Sequence, residues 1–230
     1  MRLARVGNLI YDEELFGLEG VFEDRRDAGE RLAEACSSLL KKADLVYAIP
    51  RGGVPVAVPV ARALGAELDL LLCRKLLIPW NREAGFGAVN PDGRVFVDEE
   101  FARALGLSDR AVEEAVREQM EEMERRNKAL RSGRPYPEGL EGLRVVLVDD
   151  GIAAGYTMSA ALEFVRARRA SEVVIAVPTG CLSSVLRLSR ACDLLLCLNV
   201  RPGPIFAVAD AYRRWRDLKD EDVLRALEDL

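Results

Sequence analysis

The sequence predicts an α/β fold, a mostly parallel sheet flanked by helices. Three observations carry that expectation. Short apolar runs alternate with longer amphipathic stretches along most of the chain. Two of the runs, Leu45 to Ile49 and Val145 to Val148, pass at once into glycine-bearing turns that lead into helical patterns. The run Val145-Val146-Leu147-Val148 has no polar interruption, as expected of a strand buried on both faces. At 230 residues the chain suits one domain, or one with a small appendage.

In chain order, residues 1–22 carry scattered apolar positions among Gly7, Gly17 and Gly20, and read as a strand or arm packed on the domain or on a partner subunit. From Asp27 the stripe Ala28, Leu32, Ala35 or Cys36, and Leu39 predicts a helix, with Lys41 and Lys42 at its end where the dipole favours cations. Leu45 to Ile49 predicts a strand, Pro50-Arg51-Gly52-Gly53 a turn, and Val54 to Leu64 a helix stopped by Gly65. A third strand, Leu68 to Cys73, delivers Arg74 and Lys75. Leu76 to Asn90 lacks clear periodicity and holds Pro79, Trp80, Gly85 and Gly87, so a long loop of the kind that closes over a site is expected.

Arg94 to Val97 predicts a short strand before a charged segment. Ser108 caps a long helix to Arg131, with Val112, Val116, Met120, Met123, Asn127 and Leu130 on one face and a solvated face of Glu and Arg at i,i+4 spacing. Arg134-Pro135-Tyr136-Pro137 breaks it ahead of Val145. After that strand a helix runs from Thr157 to about Arg168, then a strand Val173 to Val177, a helix Ser183 to Arg190 and a strand Leu194 to Val200. Arg201-Pro202-Gly203-Pro204 ends the alternation. Phe206 to Tyr212 and a final helix capped by Asp220 form a tail. Phe206 and Tyr212 read either as core or as a stacking surface for a planar base.

Composition narrows the chemistry. There is no histidine, which excludes Ser-His-Asp and Cys-His catalysis, histidine-ligated zinc and histidine acid–base work. Cys36, Cys73, Cys181, Cys192 and Cys197 show no C-x-x-C spacing and read as small core residues of a reducing compartment. A net charge of −5 argues against nucleic acid as a partner. No apolar run approaches the ~20 residues that span a bilayer, so no membrane association is expected. Met1 to Arg5 is followed by no apolar segment of a secretory signal, and the expected location is cytoplasmic.

Function is concentrated after Val148. Asp149 and Asp150 emerge from the buried strand, and Gly151-Ile152-Ala153-Ala154-Gly155-Tyr156-Thr157 leads into a helix. Glycines let backbone N–H groups approach a ligand, and the helix start adds partial positive charge, so the loop suits an anion with Thr157 as a hydroxyl donor. The carboxylates suit a vicinal diol or a divalent metal. A ribose 5-phosphate offers both features. No lysine makes this a Walker loop, and the G-x-G-x-x-G spacing is absent. A plain Asp-Gly turn between strand and helix is the other reading. Arg51-Gly52-Gly53 is a second strand–glycine–helix junction with a guanidinium, and ligands gather outside the carboxyl ends of parallel strands.

The stretch from Val145 to Thr157 resembles the PRPP-binding motif of type I phosphoribosyltransferases: an apolar run, paired acids, a small-residue loop and Thr157. A wider resemblance, from about Phe22 to Leu230, rests on Phe22-Glu23-Asp24-Arg25-Arg26-Asp27-Ala28-Gly29, Pro50-Arg51-Gly52-Gly53, Arg74-Lys75 and Gly87-Ala88-Val89, and looks like a bacterial and archaeal branch of that family whose acceptor is unassigned. It implies an N-terminal arm (1–22) and a phosphoribosyltransferase-like domain (23–230), with a flexible loop at about 76–90 and a hood at about 201–230. It implies transfer of the 5-phosphoribosyl group from PRPP to a small-molecule acceptor, with Asp149 and Asp150 on the ribose hydroxyls. Residues 151–157 would hold the 5-phosphate, and Arg51, Lys75 and Mg²⁺ the pyrophosphate. Gly52, Gly53 and Arg74 would help to bind it, and Arg82 is a candidate to reach it. The Mg²⁺ would be held mainly by substrate oxygens and water, with no dedicated protein ligand set, and the assembly would be a homodimer.

One departure bears on the acceptor. Hypoxanthine–guanine enzymes of the family carry an acid three residues beyond the second acid of the pair, where this chain has Ala153, so purine salvage is not expected. Tyr156, where glycine is frequent, narrows the pocket or covers the phosphate. A PRPP-binding sensor without turnover is the alternative from another class, and a sugar-phosphate isomerase a third.

Overall fold

A computed structural model of the chain describes residues 1–203, 205–228 and 230, apart from the side chains of Arg82 and Glu83. The expected role of Arg82 and the place of Pro204 in the breaker therefore lie outside the described residues. The main sheet has seven strands: β1 (Leu3–Val6), β2 (Leu9–Asp12), β3 (Leu45–Ala48), β4 (Glu67–Leu70), β8 (Arg144–Val148), β9 (Glu172–Cys181) and β10 (Leu194–Arg201). Their spatial order is β1-β2-β10-β9-β8-β3-β4. All neighbours are parallel except the β1–β2 hairpin, which joins the sheet through β2 beside β10. The fold is the expected mostly parallel α/β sheet, and residues 3–12 are part of it.

β8 lies near the middle because its side chains are apolar on both faces. Val146 and Val148 pack with α1 (Arg25–Leu40) and α2 (Gly53–Leu64), while Val145 and Leu147 pack with α5 (Tyr156–Ala167). All four are fully buried, a gain of roughly 1.5–3 kcal/mol per side chain. α6 (Leu182–Ser189) covers the sheet on the α5 side. Asp24 caps α1 by accepting from the N–H groups of Arg26 and Asp27, so the helix starts ahead of the expected Asp27. Gly65 ends α2 at φ 61°, as expected.

The stretch expected to be a loop is not one. β5 (Arg74–Ile78), β6 (Asn81–Val89) and β7 (Val95–Val97) form a separate antiparallel sheet. The periodicity is hidden because Phe86, Ala88 and Val89 are all buried and the β5–β6 register shifts at Leu76–Leu77 and again at Leu77–Ile78. Gly87 belongs in this strand: a Cβ there would meet the backbone carbonyl of Phe96 on β7. The predicted third strand also ends early, at Leu70, and Arg74 and Lys75 open β5 instead.

α3 (Glu99–Ala104) is a short helix within the charged segment, capped by Asp98. α4 (Asp109–Arg131) has its Ser108 cap, but the face read as solvated is interrupted. Gln119, Arg126 and Arg131 are buried, and Arg131 forms an ion pair with Asp69 at 2.7 Å. The tail carries a 3-10 turn (Val208–Ala211) and α7 (Asp220–Glu228), of which Asp220 is the first helical residue and not the cap.

α1 and α2 meet at Gly29. A Cβ there would lie 2.8 Å from Pro59 Cγ and 2.8 Å from the Val56 carbonyl oxygen. Gly29→Ala is expected to lower stability by about 1–3 kcal/mol, the usual range for overpacking, read as a lower urea midpoint at an unchanged slope.

Candidate functional site

The carboxyl end of β8 opens onto a cavity of about 300 Å³. One wall is the whole stretch Asp149, Asp150, Gly151, Ile152, Ala153, Ala154, Gly155, Tyr156 and Thr157. Lys75, Ala84 and Gly85 come from the small sheet, and Val208 from the tail. These are the expected acid pair, the expected loop and one of the expected cations.

The loop is shaped by its neighbours. The N–H of Ile152 donates to the Thr179 carbonyl at 3.0 Å and its carbonyl accepts from the N–H of Cys181 at 2.8 Å, which pins the loop to the end of β9. Gly155 sits at φ 80° just ahead of α5, a conformation that favours glycine. The first N–H groups of α5 have no intrahelical acceptor, so with Thr157 they offer donors at the positive end of the helix.

Asp150 is fixed from several sides. Arg25 Nε donates to its Oδ2 at 2.8 Å, with both side chains largely buried. The guanidinium of Arg25 lies 3.7 Å from the ring centre of Trp215 and donates from Nη1 to the Arg216 carbonyl at 2.9 Å. Tyr212 Oη donates to the Asp150 carbonyl at 2.5 Å. A Cβ on Gly52 would collide with Asp150 Oδ2, and one on Gly53 would lie 2.7 Å from the Val148 carbonyl. The two glycines thus let the β3–α2 turn press on the acid pair. They support the site from behind and do not line the cavity.

Asp149 differs. Its Oδ1 accepts from the Asp150 N–H at 2.8 Å, and it has no ion pair among the described residues. Burial, and next the charge of Asp150, hold its carboxyl well above the ordinary range. An acid pair with one member fixed to arginine and the other without a cation suits donation from ligand hydroxyls to the pair.

Two expected cations are elsewhere. Arg51 donates from Nε to Asp220 Oδ1 at 3.0 Å and from Nη1 to the Leu218 carbonyl at 2.5 Å. Arg74 donates to Gln119 Oε1 on α4 at 3.1 Å. Burial, and next the charge of Arg126, lower its guanidinium to about 10. Both side chains are drawn off by polar partners that short-range sequence does not place near them. Lys75 does face the cavity. Of the two readings of Tyr212, core and stacking surface, the structure takes the core one: the ring is buried, packed with Phe22 and Trp215. Phe206 lies 5.2 Å from the Arg201 guanidinium.

Sequence reasoning missed Arg25, Asp98 and Arg187. Tyr156 Oη donates to Asp98 Oδ2 at 2.9 Å, tying the start of α5 to the end of β7, and its ring lies 6.1 Å from that of Phe96. Burial, and next the Asp98 carboxylate, push the Tyr156 phenol up to about 12. Arg187 on α6 donates from Nη2 to the Ala154 carbonyl at 2.5 Å. Arg25 lies in the Phe22–Gly29 stretch that carried part of the resemblance, which was the available signal; nothing local marks the other two.

As for Mg²⁺, no group of three or more His, Cys, Asp or Glu side chains converges among the described residues. With Asp150 engaged by Arg25, the donor set fits an ion held mostly by substrate oxygens and water, with Asp149 as the carboxylate on offer.

The raised carboxyl of Asp149 fixes a pH dependence. The folded state binds this proton more tightly than the unfolded state does. Its stabilising effect is therefore complete below the ordinary value of 3.8 and is lost as pH rises through the raised value. Asp149→Asn is expected to melt above the wild type at about pH 7, with the difference shrinking as pH falls toward 3.8, checked by thermal unfolding across pH.

Comparisons with known proteins bear on the family. The sequence model of the family described as "Phosphoribosyl transferase domain" matches residues 94–196. A protein of Mycobacterium tuberculosis H37Rv named "Putative phosphoribosyl transferase Rv0571c" is 40% identical over 208 residues, 90% of this chain and 46% of that protein. The chain thus spans about half the length of the curated relatives it matches. The crystal structure of TT1426 from Thermus thermophilus is similar with a TM-score of 0.70 and 39% identity, covering 90% of this chain and 97% of that one. Sequence likeness, shared fold and the acid-and-glycine loop coincide in one conclusion: the chain belongs to the phosphoribosyl transferase family.

Proposed function

We propose that this protein transfers the 5-phosphoribosyl group from PRPP to an acceptor nucleophile and releases pyrophosphate. The observation that carries the reading is the meeting, around one cavity, of an acid pair, a glycine loop that leads into a helix through Tyr156 and Thr157, and Lys75 from the small sheet. Backbone amides at the start of α5 and the Thr157 hydroxyl would hold the 5-phosphate. Asp149 and Asp150 would accept from the ribose hydroxyls, leaving negative charge beside the sugar as its C1 becomes cationic. The bond from C1 to the pyrophosphate oxygen breaks with its electron pair on the oxygen, and the acceptor supplies the pair for the new bond and gives up a proton.

Lys75 is the cavity cation that faces the departing charge. Mg²⁺, which would be held mainly by substrate oxygens and water with Asp149 as the protein carboxylate on offer, would supply further neutralisation of pyrophosphate. Most of the rate gain would then come from positioning and fixed charge, which supply several kcal/mol in sites of this type. Ala84, Gly85 and Val208 line the cavity alongside Lys75, and the acid pair supplies its only carboxylates among the described residues. That favours an acceptor other than a purine needing an acid at its ring nitrogen. No helix among the described residues is long and apolar enough to cross a membrane. The free cysteines support a reducing cytoplasm as the proposed location.

One observation favours a second reading, a PRPP-binding sensor without turnover. Arg51 and Arg74 are engaged by Asp220 and Gln119, so fewer cations face the leaving group than a transferase would use.

Calorimetry should show PRPP with Mg²⁺ binding more tightly than ribose 5-phosphate or AMP; the opposite order would remove the basis of the proposal. Pyrophosphate release with a panel of acceptors would establish transfer, and tight PRPP binding with no release across the panel would establish the sensor. Asp149→Asn and Thr157→Val are each expected to weaken PRPP binding about tenfold or more, the value of one hydrogen bond to a charged group.

A further inference from the structure

Arg51 is held from two directions by the tail, and the acid that holds it is shared. Asp220 Oδ1 lies 3.0 Å from Arg51 Nε, and Asp220 Oδ2 lies 3.5 Å from Arg125 Nη2 on α4. Arg125 also pairs with Glu122, at 2.7 Å and 2.9 Å, and Glu122 pairs with Arg126 at 2.8 Å. Three guanidiniums therefore meet two carboxylates. Glu122 is committed to its neighbours on α4, whereas Asp220 reaches in from α7. The Arg51, Arg125 and Asp220 side chains are 33%, 54% and 21% exposed, so solutes reach this place.

Two further features bear on what the arrangement does. Arg51 precedes Gly52, whose Cα lies against the Asp150 carboxylate, so its guanidinium is tethered within one side-chain length of the acid pair. Val223 is the fully buried residue of α7 among the described residues, and Ala226 and Leu227 pack on the core beyond it. The start of the helix at Asp220 therefore lies ahead of its apolar anchor and opens at less cost than the rest. A carboxylate bridging two guanidiniums is also the geometry in which a phosphoryl group is held.

We propose that Arg51 and Arg125 form a two-guanidinium subsite for a phosphoryl anion, and that the carboxylate of Asp220 fills it until such an anion takes its place. The subsite rests on the PRPP reading for its natural ligand, the pyrophosphate group, and adds Arg125 and the α7 latch to it. Binding exchanges one ion pair for another and frees the start of α7.

Inorganic pyrophosphate is the probe, titrated by calorimetry into the full chain. Asp220→Asn is expected to bind it about two- to fivefold more tightly than wild type, because a partly exposed ion pair no longer has to be broken. Glu221→Gln removes the same charge from the next residue, which is exposed, and should leave affinity unchanged. Arg125→Gln should weaken binding in both the wild-type and the Asp220→Asn backgrounds. Amide exchange over residues 217–228 should quicken in wild type when pyrophosphate is added. Unchanged or weaker affinity in Asp220→Asn, an equal gain in Glu221→Gln, or no loss in Arg125→Gln overturns the subsite. PRPP binding that depends on Asp149 while these variants stay silent would overturn the latch and leave the PRPP reading standing. Absence of both pyrophosphate and PRPP binding would overturn both.

Discussion

The carboxylate of Asp150 is gripped between the guanidinium of Arg25 and the bare Cα of Gly52, and the rest of the crevice depends on that grip. A buried ion pair is a poor source of stability, because desolvation offsets much of the attraction, but it fixes geometry when further hydrogen bonds complete it. Here the Trp215 ring and the Arg216 carbonyl complete it on the Arg25 side, and Tyr212 holds the backbone carbonyl of Asp150. The first residues of α1, the turn after β3, the end of β8 and the C-terminal tail all converge on Asp150 and its partner Arg25. Segments far apart in sequence must therefore be in place before the acid pair has its shape.

The two acids divide the electrostatic work. Asp150 has a guanidinium, whereas Asp149 sits beside a like charge with a backbone N–H as its donor. Ligand hydroxyls donating to the pair would relieve that like-charge interaction. Sites that are to bind tightly often carry such local instability, and a replacement that eases it removes the function as well.

Much of this was legible in the sequence because it is local. The apolar run of β8, the Asp149-Asp150 pair and the Gly151-to-Thr157 loop are contiguous, and their chemistry follows from residue type and order. The small sheet was not legible, since Phe86, Ala88 and Val89 are buried together and register shifts erase the two-residue period. The positions of Arg51 and Arg74 were not legible either. Long side chains go to whichever partner the folded chain presents, and Asp220 and Gln119 lie far along the sequence. Arg25 shows the converse: a residue in a recognisable stretch acquired its meaning only once α1 was seen to start beside Asp150.

The bond from Tyr156 to Asp98 has a mechanical consequence. It crosses from the mouth of the main sheet to the end of β7, and β6 carries that connection on to Lys75. Any shift of the small sheet would thereby be passed to the opening residue of α5. Lysine approach on one wall and amide alignment on the other would proceed in step, as the two jaws of a single vice.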